Sequence, residues 1–106
     1  MSTAEAETGV RLGLVDYLMW GADYPHTEGT WPRTIKSLRK TYSGIRSEDV
    51  AKYVGLNAVH FYGLDRDELA QIASRIGPTV QQISEPYELP SGEFAGWAFR
   101  NHGKFS

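Results

Sequence analysis

The sequence predicts an α/β fold in which one strand, buried on both faces, precedes three amphipathic helices. The chain has 106 residues, of which 41% are hydrophobic and 23% are charged. This composition is typical of one soluble globular domain, and the length provides for a single modest core. A continuous apolar run near the N-terminus predicts the strand. Apolar residues that recur every three or four positions after it predict the helices.

Composition divides the chain into three parts. Residues 1–9 hold small polar side chains and two glutamates, with Met1 their only large apolar residue. They predict a flexible N-terminal arm, because little apolar surface is available to offset the entropy lost on ordering. Residues 10–80 carry the strand and the helices. Residues 81–106 contain Pro and Gly at short intervals, which predicts an irregular C-terminal extension. The extension is aromatic, and we expect it to pack against another surface. Its aromatic residues include Phe94, Trp97, Phe99 and Phe105.

The predicted strand is the run Tyr17-Leu18-Met19-Trp20, which ends at Gly21. Four consecutive large apolar residues bounded by glycine are typical of a strand in the interior of a parallel sheet. A short buried helix fits the same residues, since periodicity does not separate the two over four positions. The short length and the turn formers that follow favour the strand. Pro25 and Gly29 predict a loop over the next residues.

Three helices are predicted after this loop, each bounded by its own start and stop residues. Their starts are a proline at a first helical position, a serine cap and an aspartate capping box. Their ends are glycines. The starts are Pro32, Ser47 and Asp65, and the ends are Gly44, Gly63 and Gly77.

Charge and composition exclude several classes of function. The net charge is −2, so we expect neither nucleic acid nor an anionic membrane as a partner. The chain has no cysteine, which excludes thiolate metal sites and cysteine nucleophiles. The N-terminus is not typical of a secretory signal, and no apolar stretch is long enough to span a membrane. The expected location is therefore cytoplasmic.

Asp23 stands just beyond the predicted strand, after Gly21 and Ala22, and His26 lies three residues further on. In parallel α/β folds, active sites form at the carboxyl ends of the strands. A carboxylate there can bind a metal or accept a proton from metal-bound water. The alternative is that Asp23 caps the turn by accepting hydrogen bonds from backbone N–H groups.

The residues around Asp23 resemble a known family. Residues 19–26, MWGADYPH, and residues 28–32, EGTWP, are similar to the last barrel strand and following loop of amidohydrolase-related (amidohydrolase 2) metal-dependent hydrolases. That family also contains metal-dependent decarboxylases. The resemblance continues through Asn57-Ala58, then Phe61-Tyr62-Gly63-Leu64, and the Gly77-Pro78 stop, and it covers roughly residues 17–80.

The resemblance implies a (β/α)8 TIM barrel with a divalent metal, commonly zinc, at its C-terminal face. Residues 10–80 would then be the C-terminal βα segment of such a barrel. Asp23 matches the strand-eight aspartate, which binds the metal and orients or deprotonates the attacking water. His26 matches the histidine of the family's DxPH pattern, and we expect it to line the pocket or organise the loop.

The chain departs from the family in its histidines. It has His26, His60 and His102, and it lacks the H-x-H pair that supplies metal ligands in the family. A catalytic zinc site needs about three protein ligands. We therefore expect a partial hydrolase or decarboxylase that binds no metal alone and is inactive without the missing strands. Its partners would be a small-molecule substrate in the complete enzyme, and a complementing chain or a second copy.

The alternative hypothesis is a non-catalytic helical interaction or oligomerisation fragment. An apolar strand without neighbouring strands leaves apolar surface uncovered. This hypothesis predicts that the chain self-associates, is partly ordered or needs a partner.

Overall fold

The computed structural model describes residues 1–26 and 29–88, and over these ranges the chain folds mainly into helices. A 3₁₀ turn at Val15–Tyr17 follows the first helix, and a π-helical stretch at Lys52–Leu56 joins the third helix to the fourth. The α-helices are α1 (Thr3–Arg11), α2 (Thr34–Tyr42), α3 (Ser47–Ala51), α4 (Asn57–Tyr62), α5 (Arg66–Ile76) and α6 (Val80–Ser84).

The α/β prediction is wrong, because no strand is present in the two described ranges. These residues therefore form no sheet and no βα segment of a TIM barrel. Leu18 has an extended backbone, with φ −113° and ψ 142°. However, Leu18 and Trp20 pack against the helical core, and the backbone N–H of Trp20 donates to the carbonyl of Tyr53 at 2.9 Å. Tyr17 and Met19 are exposed, so the run is not buried on both faces as predicted. Burial of apolar side chains is non-directional, so the same run is compatible with a helical or a strand neighbour.

Helix α1 occupies most of the part for which we expected a flexible arm. Ser2 and Glu5 form a capping box at its start. Ala6 is fully buried, and its carbonyl accepts a hydrogen bond from the Tyr53 hydroxyl at 2.9 Å. Gly9 lies so close to Tyr53 that a Cβ at this position would overlap the phenol oxygen. Small residues thus bring α1 against the core, which a count of large apolar side chains does not reveal.

The core lies between α1, α2, the continuous helical stretch from α3 to α4, and α6. At its centre the rings of Tyr42 and Tyr53 stack at a centroid distance of 5.5 Å. The Tyr42 hydroxyl donates to the sulfur of Met1 at 3.3 Å. The buried apolar residues of the described ranges are Ala6, Val15, Leu38, Tyr42, Ile45, Val50, Tyr53 and Ile83.

The π-helical stretch explains how the apolar run is hydrogen-bonded to the helical part of the molecule. Asn57 N donates to the carbonyl of Lys52, five residues earlier. The carbonyl of Tyr53 accepts instead from Trp20, outside the helix. A π-helical turn changes the pairing of backbone groups in this way. The second predicted helix is therefore present, with this insertion at its middle.

The third predicted helix is present as α5, and Asp65 caps it by accepting from Glu68 N at 3.0 Å. Of the predicted C-terminal extension, residues 81–88 are described and include most of α6. Residues 89–106, with the aromatic side chains expected to pack, lie outside the described residues.

Within the described part of the chain, no helix is both long and apolar enough to cross a lipid bilayer.

Candidate functional site

Asp23 lies where the apolar segment turns into a loop, and its backbone is left-handed, with φ 55°. A positive φ is uncommon outside glycine, although Asp and Asn adopt it more readily than other residues. The carbonyl of Asp23 accepts from His26 N at 2.9 Å. The carbonyl of Ala22 accepts from Thr30 N at 3.0 Å, so the loop returns to the point where it began.

Gly29 and Thr30 anchor the far end of this loop. A Cβ at Gly29 would lie 2.8 Å from the carbonyl oxygen of Asp23 and 2.9 Å from that of Ala22, so this position requires glycine. Thr30 is fully buried, and its hydroxyl lies 3.1 Å from the hydroxyl of Thr34 in the first turn of α2. The loop therefore holds the backbone of Asp23 at a defined place relative to α2.

The Asp23 side chain is half-buried, and among the described residues its carboxylate has no hydrogen-bond or ion-pair partner. Among the described residues the Asp23 carboxylate does not cap the turn, which was the alternative role considered for it. Hydrogen bonds between backbone groups close the loop instead. His26 shares the loop with Asp23, and its side chain is exposed. The structure thus brings the two predicted site residues into one loop and leaves both side chains accessible.

The metal ligands that the family resemblance implies are not assembled in the described part of the chain. There, no three His, Cys, Asp or Glu residues lie close enough together to hold a metal ion. His60 is exposed on α4, and His102 lies outside the described residues. Because a catalytic zinc site needs about three protein ligands, Asp23 and His26 do not fit a zinc ion by themselves.

Asn57 has a structural role that the sequence analysis missed. Its side-chain Nδ2 donates to the carbonyl of Val15 at 2.6 Å and to that of Leu18 at 2.8 Å. The residue is buried at the start of α4. It therefore ties the helix to the segment that leads to Asp23. The available signal was an amide side chain between apolar neighbours, Leu56 and Ala58, in a predicted helix.

Two apolar grooves flank the residues that precede Asp23. The α1 groove, of about 540 Å³, lies between α1 and the apolar segment. The α5 groove, of about 500 Å³, lies between α5 and the core. Asp23 lines neither of them. Residues of the α1 groove include Ala4, Thr8, Leu14, Leu18, Met19 and Gly21. Residues of the α5 groove include Trp20, Val54, Val59, Leu69, Ala73 and Val80.

Comparisons of this chain with family models, curated proteins and solved structures gave no match. The described residues define the class as a small helical domain.

Proposed function

We propose that this chain is a partial metal-dependent hydrolase of the amidohydrolase-related type. It supplies the carboxylate of Asp23 to a divalent-metal site that a complementing chain, or the missing part of a longer parent sequence, completes. The observation that carries the proposal is the uncommitted carboxylate of Asp23, held on a left-handed backbone at the junction of an apolar segment and an anchored loop.

The backbone of Asp23 supports this role. Residues held in sparsely populated conformations cost about 1–3 kcal/mol each and are concentrated at functional sites. Gly29 and Thr30 keep the loop closed around the Asp23 backbone without using its carboxylate. A carboxylate without a partner among residues 1–26 and 29–88 is available to a ligand.

The chain's own contribution to the chemistry is limited to what a carboxylate does. Ionised Asp23 can accept hydrogen bonds from a water molecule, orient it, and accept its proton at an Oδ atom. The substrate class would be a small molecule with a hydrolysable C–N or C–O bond, or one that loses a carboxyl group. Since the sequence lacks the H-x-H pair that supplies metal ligands in the family it resembles, we expect no activity from the chain alone.

Calorimetric titration of the purified chain with zinc chloride tests whether the chain alone holds a complete metal site. We expect no tight one-to-one binding that depends on Asp23. The Asp23→Asn variant is a suitable comparison, because Asn also adopts left-handed backbone conformations and should preserve the loop. Stoichiometric, tight binding that the variant loses would show that this chain already holds a full site.

Complementation tests the role of Asp23 directly. The chain is co-expressed with the polypeptide encoded immediately upstream of Met1, provided that this polypeptide contains an H-x-H pair. We expect a complex that contains zinc and hydrolyses or decarboxylates a small substrate. Asp23→Asn should lower kcat/KM by about 100-fold or more, the range seen for catalytic acid–base groups.

Asp67→Asn is the matched control for this experiment, since Asp67 is exposed in the first turn of α5. It removes one carboxylate with the same change in shape and should leave zinc content and kcat/KM unchanged. Wild-type zinc content and activity in the Asp23→Asn complex would refute the proposal.

A second candidate is a non-catalytic helical interaction domain. It is favoured by exposed apolar side chains on α5 beside the α5 groove, of which Leu69 is 39% and Ile76 is 79% exposed. The complementation experiment separates the two candidates. A stable complex without zinc and without activity would support the interaction domain.

A further inference from the structure

We propose that residues 18–22 pair with the same residues of a second copy of this chain, as two antiparallel extended segments related by a twofold axis. The inference rests on a backbone edge that is open and on the apolar groove beside it. It is independent of the proposed hydrolase function.

One edge of this segment is occupied by hydrogen bonds within the molecule. The carbonyl of Leu18 accepts from Asn57, the N–H of Trp20 donates to Tyr53, and the carbonyl of Ala22 accepts from Thr30. In an extended chain, successive residues direct their backbone groups to opposite edges. Residues 18, 20 and 22 therefore use the inner edge, which faces the helices and the loop.

The outer edge carries the backbone groups of Met19 and Gly21. Neither residue makes a hydrogen bond within residues 1–26 and 29–88. A Cβ added at Gly21 would meet nothing within 4 Å, so the face of the segment at Gly21 is also open. Open donors and acceptors on an extended segment are a template for another extended chain.

The surface around the outer edge is apolar. The α1 groove runs alongside it, and Leu14, Leu18 and Met19 line this groove. Several large apolar side chains within ten residues of sequence are exposed, and burying them would favour association. They are Val10, Leu12, Leu14, Tyr17 and Met19.

A second copy fits this edge because the edge is self-complementary. In an antiparallel pair centred on Trp20, Met19 of one copy lies opposite Gly21 of the other. The two residues exchange both N–H to C=O hydrogen bonds, and the twofold axis repeats the exchange. Residues 18–22 contain no charged side chain that would oppose edge pairing, and the net charge of −2 gives little repulsion between copies.

Sedimentation equilibrium of the purified chain over a wide concentration range tests the dimer. We expect a monomer–dimer equilibrium, and Met19→Lys should raise its dissociation constant by at least about tenfold, because lysine on an edge opposes strand pairing. Met19 is 38% exposed, so the folded monomer should tolerate the lysine, and far-ultraviolet circular dichroism checks this.

Ile35→Lys is the matched control, since it makes the same change of charge at an exposed position on α2, away from both apolar grooves. It should leave the dissociation constant unchanged. The proposal is overturned if the wild-type chain stays monomeric throughout, or if both lysine variants weaken association equally. It is also overturned if the outer edge is occupied by an extended segment of a different polypeptide.

Cysteine cross-linking tests the register, since the chain has no cysteine of its own. Directly opposed residues have Cα atoms about 5.5 Å apart, which a disulfide can bridge. An equimolar mixture of Met19→Cys and Gly21→Cys chains should therefore oxidise to a linked dimer faster than either variant alone. Equal cross-linking between Gly21→Cys and Ile35→Cys chains would indicate non-specific association and would refute the register.

Discussion

Asn57 joins α4 to residues that lie 42 and 39 positions earlier in the chain. Asn57 is buried, and its amide donates to two backbone carbonyls of the segment that leads to Asp23. Removing one partner of a buried hydrogen bond is costly, because the remaining polar group is left buried without a hydrogen bond. We therefore expect Asn57 to contribute to the free energy of unfolding, although it belongs to no candidate functional site.

Replacing Asn57 with Ala should lower the free energy of unfolding by about 2–3 kcal/mol, because the carbonyls of Val15 and Leu18 lose their donor. Urea unfolding followed by circular dichroism measures this difference. Ser74→Ala is the control, since it removes an exposed hydrogen bond from Ser74 to the carbonyl of Gln71 and should cost less than about 0.5 kcal/mol. Equal losses in the two variants would contradict the role assigned to Asn57.

The buried tyrosines make the fold sensitive to alkaline pH. Burial raises the pKa of the Tyr42 phenol above its usual range, with a smaller contribution from the neighbouring Tyr53, whose own pKa is also raised by burial. An unfolded tyrosine ionises near pH 10. The stability contributed by these groups is therefore complete below about pH 10 and is lost as the pH rises toward the folded-state pKa.

Tyr42→Phe should reduce this alkaline loss of stability, measured as the fall in urea midpoint between about pH 8 and pH 11. Tyr17→Phe is the control, because Tyr17 is 78% exposed and should leave the fall unchanged. The pairing of Lys52 with Asp16 raises the pKa of Lys52 and adds a loss in the same direction, which both variants retain. An identical fall in wild type and Tyr42→Phe would show that Tyr42 is not buried.

At the scale of elements, α1 shows that a helix whose one large apolar residue, Val10, is exposed can still complete a core. Ala6 and Gly9 bring the helix against Tyr53, and Thr3 Oγ1 donates to the carbonyl of Lys40 in α2 at 3.0 Å. The composition of residues 1–9 predicted a flexible arm. A count of large apolar side chains does not show where small residues allow two elements to pack closely.

Deleting residues 1–9 should therefore destabilise the whole domain. It uncovers Tyr42 and Tyr53, and we expect a lower melting temperature together with loss of the near-ultraviolet signal of the tyrosines. Glu7→Gln is the control, since Glu7 is exposed on α1 and should leave both measurements unchanged. If the truncated chain melts like the wild type, these residues act as the flexible arm that their composition predicts.

At the scale of the whole molecule, stability is unevenly distributed. The stretch from α3 to α4 contributes Val50, Tyr53 and Asn57 to the interior. By contrast, α5 has no buried residue, although it is well capped and carries an apolar stripe. Regions with few buried contacts open locally at a lower free-energy cost than the core.

Hydrogen–deuterium exchange should reflect this distribution. Amides of α5 are expected to exchange faster than those of Lys52–Leu56 and α4, and mass spectrometry of proteolytic peptides can compare them. The comparison should be made at a concentration where the chain is monomeric. Equal protection of α5 and the core helix under those conditions would show that another part of the chain covers the α5 groove.

The sequence by itself determined where three helices stop and where α5 begins, and it located Asp23 and its loop. The other two predicted starts were wrong, since α2 begins at Thr34 rather than Pro32, and Arg46 rather than Ser47 holds the N-cap position of α3. Asp65, which caps α5, and Gly63, which ends α4 with a φ of 64°, act within one turn of their own position, so they can be identified without the fold. The Asp23 loop was likewise predicted from turn residues and a local motif.

Only the tertiary structure decided what the apolar segment packs against. Hydrophobic burial has no direction, so the run from Tyr17 to Trp20 predicted a buried place without identifying its neighbours. Helices α1, α2 and the π-helical stretch supply those neighbours, through close approach at Gly9 and the carbonyl of Tyr53. Capping is a local interaction and packing is a long-range one, and for that reason the Asp65 cap and the helix stops were predicted correctly, whereas α1 and the absence of a sheet were not.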